Sequence, residues 1–325
     1  MIGIFKQKNP ANTLLLLVYG LILKFGLFLH PQYPLKQEGD HFLYTWIIDF
    51  FSRMGLHSVF FSLFTFLLYY VQAILFNRIC NAQKMLAKTT YLPGMSFLLI
   101  TSLLVEWNRF SAPLLVNTLM VWVFYRMVVM YNAPKSGSAI FNIGLLLGIV
   151  SLLYKPALPL SLLVFFTLYI MRAFRMQEWL IGLLGITTPY YFLAILLYLG
   201  NQWNWSYLKP SIDFSFPGIP SSVFITISIT LLVIPFIIGG FFVQNNLNKM
   251  LIQVRKAWSL VLIYLIIGIT IIMINGGNDY SNWLLCAIPL AAFHSAAYFY
   301  PLNQTFSSVM HYIGFAYALY VNYWL

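Results

Sequence analysis

Runs of about 20 apolar residues, parted by short polar interruptions, recur from one terminus of this chain to the other. A helix rises about 1.5 Å per residue, so a run of that length crosses a hydrocarbon layer roughly 30 Å thick. The runs lie near 11–29, 57–77, 91–105, 112–131, 138–154, 156–171, 179–199, 221–243, 258–274, 283–299 and 305–324. With 61% apolar and 8% charged residues, against about a half and a quarter in soluble domains, a soluble fold is excluded. The expected fold is an all-α, polytopic transmembrane helical bundle of about eleven spans, with residues 1–325 forming one membrane domain and no soluble domain. The third, fifth and sixth runs are short for a span, which predicts pairing, tilting or incomplete crossing. Pro93-Gly94, Lys155-Pro156, Pro189, Pro235 and Gly239-Gly240 mark candidate helix breaks. Such breaks are tolerated at membrane depth where they are packed in protein or line a cavity. No internal repeat stands out, which argues against an inverted-repeat transporter.

The formal charge of +11 is spread singly along the chain, so it reads as membrane topology and not as a nucleic-acid surface. With the N-terminus inside, Lys6, Lys8, Arg78, Lys84, Lys88, Arg126, Lys135, Arg172, Arg175, Lys249, Arg255 and Lys256 fall on the inner side. Lys36, Arg53, Arg109, Lys155 and Lys209 fall outside. This is the positive-inside pattern, and it predicts a cytoplasmic N-terminus in a bacterial inner membrane. The acidic residues divide the other way: Glu38, Asp40, Asp49, Glu106, Asp213 and Asp279 are outer, and Glu178 alone is inner. The first run follows Lys6 and Lys8 as a signal sequence would, but it lacks a small-residue cleavage site and is expected to remain as the first span. Cys80 and Cys286 have no metal-ligand spacing and read as packing residues. His30, His41, His57, His294 and His311 form no tight ligand set.

The first outer loop, 30–56, is the longest polar interruption. From His41 to Met54 it sets Phe42, Trp46, Ile47, Phe50 and Phe51 at helical spacing opposite Asp49 and Arg53, the pattern of an amphipathic helix in the outer interface. Before it, Glu38-Gly39-Asp40 puts two carboxylates one residue apart, a pair able to hold a divalent cation or to supply a base. A second outer loop, 200–220, carries Trp203, Trp205 and Tyr207, which fit an interfacial aromatic belt. Lys24 lies inside the first run, where a charge costs about 2.5–3.5 kcal/mol at a helix centre. Five residues from the outer end, it is expected to snorkel to that interface, the alternative being a bond to a lipid phosphate.

A first span, an outer loop with an acid-x-acid motif and then an interfacial helix resembles the opening of the GT-C glycosyltransferases, multi-span enzymes that use polyprenyl-phosphate-linked sugars. Glu106, Trp107, Asn108 and Arg109 match in place the polar second outer loop of those enzymes. The stretch 142–171, NIGLLLGIVSLLYKPALPLSLLVFFTLYIM, resembles their Gly-rich span, break and Pro-bearing span. The resemblance covers roughly the first 200 residues, and the later loops carry no motif of that class. Taken whole, the chain also resembles an uncharacterised family of multi-pass membrane proteins from Bacteroidota, on its opening IFKQKNPAN and the stretch from Trp107 to Pro113.

The first resemblance implies Asp40 as the base, with Glu38 orienting it or sharing a metal. It also implies Glu106, Asn108, Arg109, Lys155, Lys209 and Lys24 as the groups that receive substrate and lipid phosphate, since Arg and Lys stabilise anionic oxygens at a dry interface. Three functions follow: sugar transfer from a polyprenyl-phosphate carrier to an envelope acceptor on the outer side; a non-catalytic subunit of an envelope, secretion or motility assembly, bound to a partner membrane protein; and a transporter or flippase. Membrane lipids are partners in all three.

Overall fold

The structure, a computed structural model, describes all residues except 132, 134–135, 209–221, 276–279, 302 and 325. Every apolar run yields a helix, because inside hydrocarbon each backbone N–H and C=O must be satisfied within its own segment. In chain order the helices are α1 (Ile2–Phe5), α2 (Asn12–Lys24), α3 (Gly26–Leu29), α4 (Phe42–Arg53), α5 (Ser58–Ala82), α6 (Leu92–Ile100) and α7 (Ala112–Val129). Then follow α8 (Gly137–Leu153), α9 (Leu162–Met171), α10 (Met176–Leu199), α11 (Val223–Asn246), α12 (Ile252–Ile274), α13 (Ala287–Phe299) and α14 (Gln304–Trp324). Among the described residues there is no strand, and the one isolated β-bridge joins Asp40 to Tyr154. Among the described residues, six helical segments are long and apolar enough to cross a membrane: Ser58–Ala82, Ala112–Val129, Met176–Leu199, Val223–Lys249, Ile252–Ile274 and Tyr280–Phe299.

The described loop residues gather at two ends of the bundle. At the end holding the N-terminus, Tyr91 N–H donates to the Phe5 carbonyl, Trp258 Nε1 to the Met85 carbonyl and Arg172 to Glu178 and the Ala133 carbonyl. At the other end, Lys24 meets Thr101 and Asn108, Asn108 meets Asn322, and Tyr154 meets Asn282.

One short run stops short as its length predicts, and only some of the expected breaks interrupt a helix. The third run forms a helix only as far as Ile100, and all nine residues of α6 are buried. At about 14 Å it is too short to cross, and it sits as a half-helix inside the bundle, continued by a turn and a 3₁₀ turn over Val105–Asn108. By contrast, Pro189 lies inside an unbroken α10, and Pro235 and Gly239-Gly240 lie inside an unbroken α11. The Lys155-Pro156 break is real: α8 ends at Leu153, the chain turns at Tyr154, and Lys155–Ser161 winds as 3₁₀ helix before α9. Pro156 and Pro159 have no N–H for an α-helical ladder.

The glycines serve close approach. A Cβ on Gly144 would lie 2.5 Å from the Gly182 carbonyl, and one on Gly185 2.5 Å from the Phe141 carbonyl, so α8 and α10 pack backbone to backbone, as small residues allow in membranes. Helix α4 forms as expected, but the face it buries is Tyr44 and Ile48, while Trp46 and Phe50 point away from the bundle.

Candidate functional site

Three interrupted segments meet at the end that carries the first loop: the stretch after α6, the turn between α8 and α9, and the 3₁₀ segment Tyr280–Cys286 before α13. Trp107 ties the first to the third, its Nε1 donating to the Tyr280 carbonyl at 3.0 Å while its own carbonyl accepts from Tyr69 at 2.7 Å. Where a helix stops inside a bundle, its last carbonyls need donors from elsewhere. Three successive carbonyls past α6 receive them from three helices. Lys24 Nζ bonds Thr101 O at 2.7 Å, Asn322 Nδ2 bonds Ser102 O at 2.8 Å, and Ser228 Oγ bonds Leu103 O at 2.8 Å.

Lys24 is therefore fully buried and does not snorkel. Its ammonium also bonds Asn108 Oδ1 at 3.0 Å and lies 4.1 Å from the centroid of the Tyr69 ring. The open carbonyls and the negative end of the α6 dipole stabilise a cation there without any carboxylate. Asn108 in turn donates to Asn322 at 2.5 Å. Above this network Asn108 and Arg109 line a cavity of about 130 Å³ with His30, Gln32 and Asn322.

Asp40 belongs to a second cluster at the same end. Gly39 O accepts from Lys155 N–H at 2.9 Å and His41 N–H donates to Leu153 O at 3.1 Å, which pins the first loop onto the turn between α8 and α9. A tight turn precedes it, Asp40 N–H donating to Gln37 O at 3.0 Å while Asp40 Oδ2 accepts from Gln37 N–H at 2.8 Å. Gly39 is required here, since a Cβ would come within 2.6 Å of the Tyr154 ring. Tyr154 donates to Asn282, Asn282 donates to Asn275 O at 2.7 Å, and Ser281 donates to Gln37 at 3.2 Å. Asp40, His41, Tyr44, Tyr154, Ser281 and Asn282 are all buried.

The electrostatics follow from this packing. Burial and the nearby Lys155 ammonium push His41 down to about 4, so the ring is neutral and its Nδ1 accepts from Phe42 N–H as the cap of α4. Burial, and after it the charge of Asp40, pushes the Tyr44 phenol well up.

The structure thus brings Asp40 to the backbone of Lys155 and places Lys24, Asn108 and Arg109 in the neighbouring cluster. Glu38 and Glu106 are exposed, and Lys155 is half-buried. Lys209 lies outside the described residues. Glu38 and Asp40 occupy different surroundings, and among the described residues no three His, Cys, Asp or Glu side chains are placed to hold a metal together. Sequence reasoning missed Tyr154, Asn282 and Asn322. Only Tyr154 carried a signal, its place directly before Lys155-Pro156.

A multi-pass helical membrane protein with a polar cluster built on interrupted helices at one end is the class these features define. Residues 39–321 match the model of a family of unknown function, DUF6427, and the chain belongs to that family. No curated protein and no solved structure matches it.

Proposed function

We propose that the chain is a GT-C-like glycosyltransferase of a bacterial inner membrane, working at the outer face on a polyprenyl-phosphate-linked sugar. The observation that carries this reading is Asp40, a buried carboxylate fixed by backbone bonds beside Lys155 where three interrupted segments meet. Buried ionisable groups with specific partners cluster at functional sites. Asp40 takes the proton of the acceptor hydroxyl, whose oxygen bonds the anomeric carbon. The bond from that carbon to the carrier phosphate breaks, and the phosphate leaves with its electron pair toward Lys155, with Arg109 near the mouth.

Eleven crossings with the N-terminus in the cytoplasm fit the sorting of the loops to two ends, with α6 as the buried half of the third. The basic residues Arg78, Arg172 and Lys256, gathered at the N-terminal end, support that orientation.

The test is release of polyprenyl phosphate from a panel of polyprenyl-phosphate sugars by the protein in lipid nanodiscs. Asp40→Asn, which keeps an acceptor for Gln37 N–H, should lower the rate by about 10²–10⁴-fold while melting with the wild type. No turnover with any donor, or equal turnover by the variant, sinks the reading.

A transport reading is favoured by a different observation. His294, Tyr298, His311 and Tyr19 form a buried row within the bundle, with Tyr19 hydrogen-bonded to His311 at 3.1 Å. Proton-coupled uptake into vesicles, abolished by His311→Phe, would support it in place of transfer.

A further inference from the structure

The N-terminal end of the bundle, opposite the Asp40 cluster, holds a cavity of about 450 Å³, within the usual range of small-ligand clefts, about 300–1,000 Å³. One wall is a single face of α5, where Asn77, Arg78 and Asn81 stand at helical spacing. The facing wall is the segment Thr89–Tyr91 that leads into α6, and Lys8 and Thr13 close the side.

Four observations give this cavity a chemistry. Its two charged residues, Lys8 and Arg78, are both cationic and both exposed at the rim, and none of its lining residues is acidic. The one acidic residue at this end among the described residues, Glu178, is taken by Arg172 at 2.8 Å. Asn81 clamps Thr90 through two hydrogen bonds, Nδ2 to the Thr90 carbonyl at 2.7 Å and Thr90 N–H to Oδ1 at 3.0 Å. So held, Thr90 lines the cavity at 1% exposure, and its Oγ1 has no hydrogen-bond partner in the protein. A buried hydroxyl left unpaired is costly, so a polar group in the cavity is the expected partner. Finally, the cavity opens at the start of α6, a nine-residue helix whose dipole presents its positive end there.

We propose that this cavity binds a phosphate group, that of an anionic phospholipid headgroup or of free phosphate. Lys8 and Arg78 neutralise the anion, Thr90 Oγ1 donates to one of its oxygens, and the α6 terminus adds its field. A headgroup enters readily because the site lies at the helix ends, at headgroup depth, where basic pockets between membrane helices take anionic lipids.

The full chain in detergent is titrated with phosphatidylglycerol, with diacylglycerol and with inorganic phosphate, and followed by its melting temperature. Phosphatidylglycerol is expected to raise it saturably and diacylglycerol is not. In Lys8→Gln/Arg78→Gln the apparent affinity should fall at least tenfold, and Thr90→Val should weaken it as well. If Thr90→Val fails to fold, the rim variant decides alone, because its residues are exposed. If inorganic phosphate saturates the site and displaces the lipid, the natural ligand is the free ion. If only the lipid binds, it is the headgroup. Equal stabilisation by diacylglycerol, wild-type binding by the rim variant, or no response to either phosphate compound overturns the proposal.

Discussion

Gly239 and Gly240 are chain neighbours in the same unbroken helix, yet their substitution by alanine should act in opposite directions. A Cβ on Gly239 would stand 2.0 Å from the Phe293 carbonyl oxygen and 2.7 Å from its carbon. Both are backbone atoms of α13, so no side chain can rotate out of the way. Reaching an ordinary contact of 3.4 Å moves α11 off α13 by about 1.4 Å, and gaps of that order forfeit much of the dispersion energy along the seam. With typical overpacking costs of 1–3 kcal/mol, the expected loss for Gly239→Ala is at the upper end, about 3 kcal/mol. A Cβ on Gly240 meets nothing within 4 Å. Gly240→Ala therefore keeps only the gain in helix propensity, up to about 1 kcal/mol. Unfolding of both variants in mixed micelles, read by circular dichroism, measures the difference. Equal effects, or a larger loss at Gly240, would refute the α11–α13 packing described above.

The remaining predictions concern buried charge. Arg172→Met, which strands Glu178 with one-tenth of its side chain exposed, should cost about 3–5 kcal/mol, and Arg172→Met/Glu178→Gln should restore part of that in the same unfolding assay. Lys24→Met leaves Thr101 O and Asn108 Oδ1 without their donor. Two orphaned acceptors outweigh the relief of removing a buried cation, so a loss of about 2 kcal/mol is expected, and a stabilised variant would refute the bonding at the end of α6. His41 has its folded pKa at about 4 against 6.5 unfolded. Between these values the unfolded chain holds the extra proton, so stability is complete above pH 6.5 and is lost as pH falls toward 4, by roughly 3 kcal/mol for this group. In His41→Gln the acid-induced loss should shrink by that amount, and an unchanged pH profile contradicts the burial of the ring beside Lys155.

How much of the site was legible follows from the range of each interaction. Glu38-Gly39-Asp40 stood out because a local pattern placed two acids at one loop, and the turn between α8 and α9 stood out because proline has no N–H. That Asp40 is buried against Tyr154 while Glu38 stays exposed depends on a contact between residues more than a hundred positions apart, for which no local pattern exists. Lys24 shows the same limit. Its place in the first run predicted an escape to the interface, the cheapest local solution, but the half-helix α6 stops beside it and offers open carbonyls.

Apolar composition and run length were enough to make the chain helical and built of membrane-crossing segments, because they set the cost of exposing backbone to hydrocarbon one segment at a time. The sequence also marked the uneven spread of charge. Which of the proline and glycine marks interrupt a helix was decided by tertiary structure alone. Gly239-Gly240 and Pro93-Gly94 look alike as punctuation, but the first pair sits in an unbroken helix where one glycine admits α13, and the second opens a nine-residue helix buried on every side. A glycine or proline states only what the local backbone permits, and the neighbouring helices decide what that permission is used for.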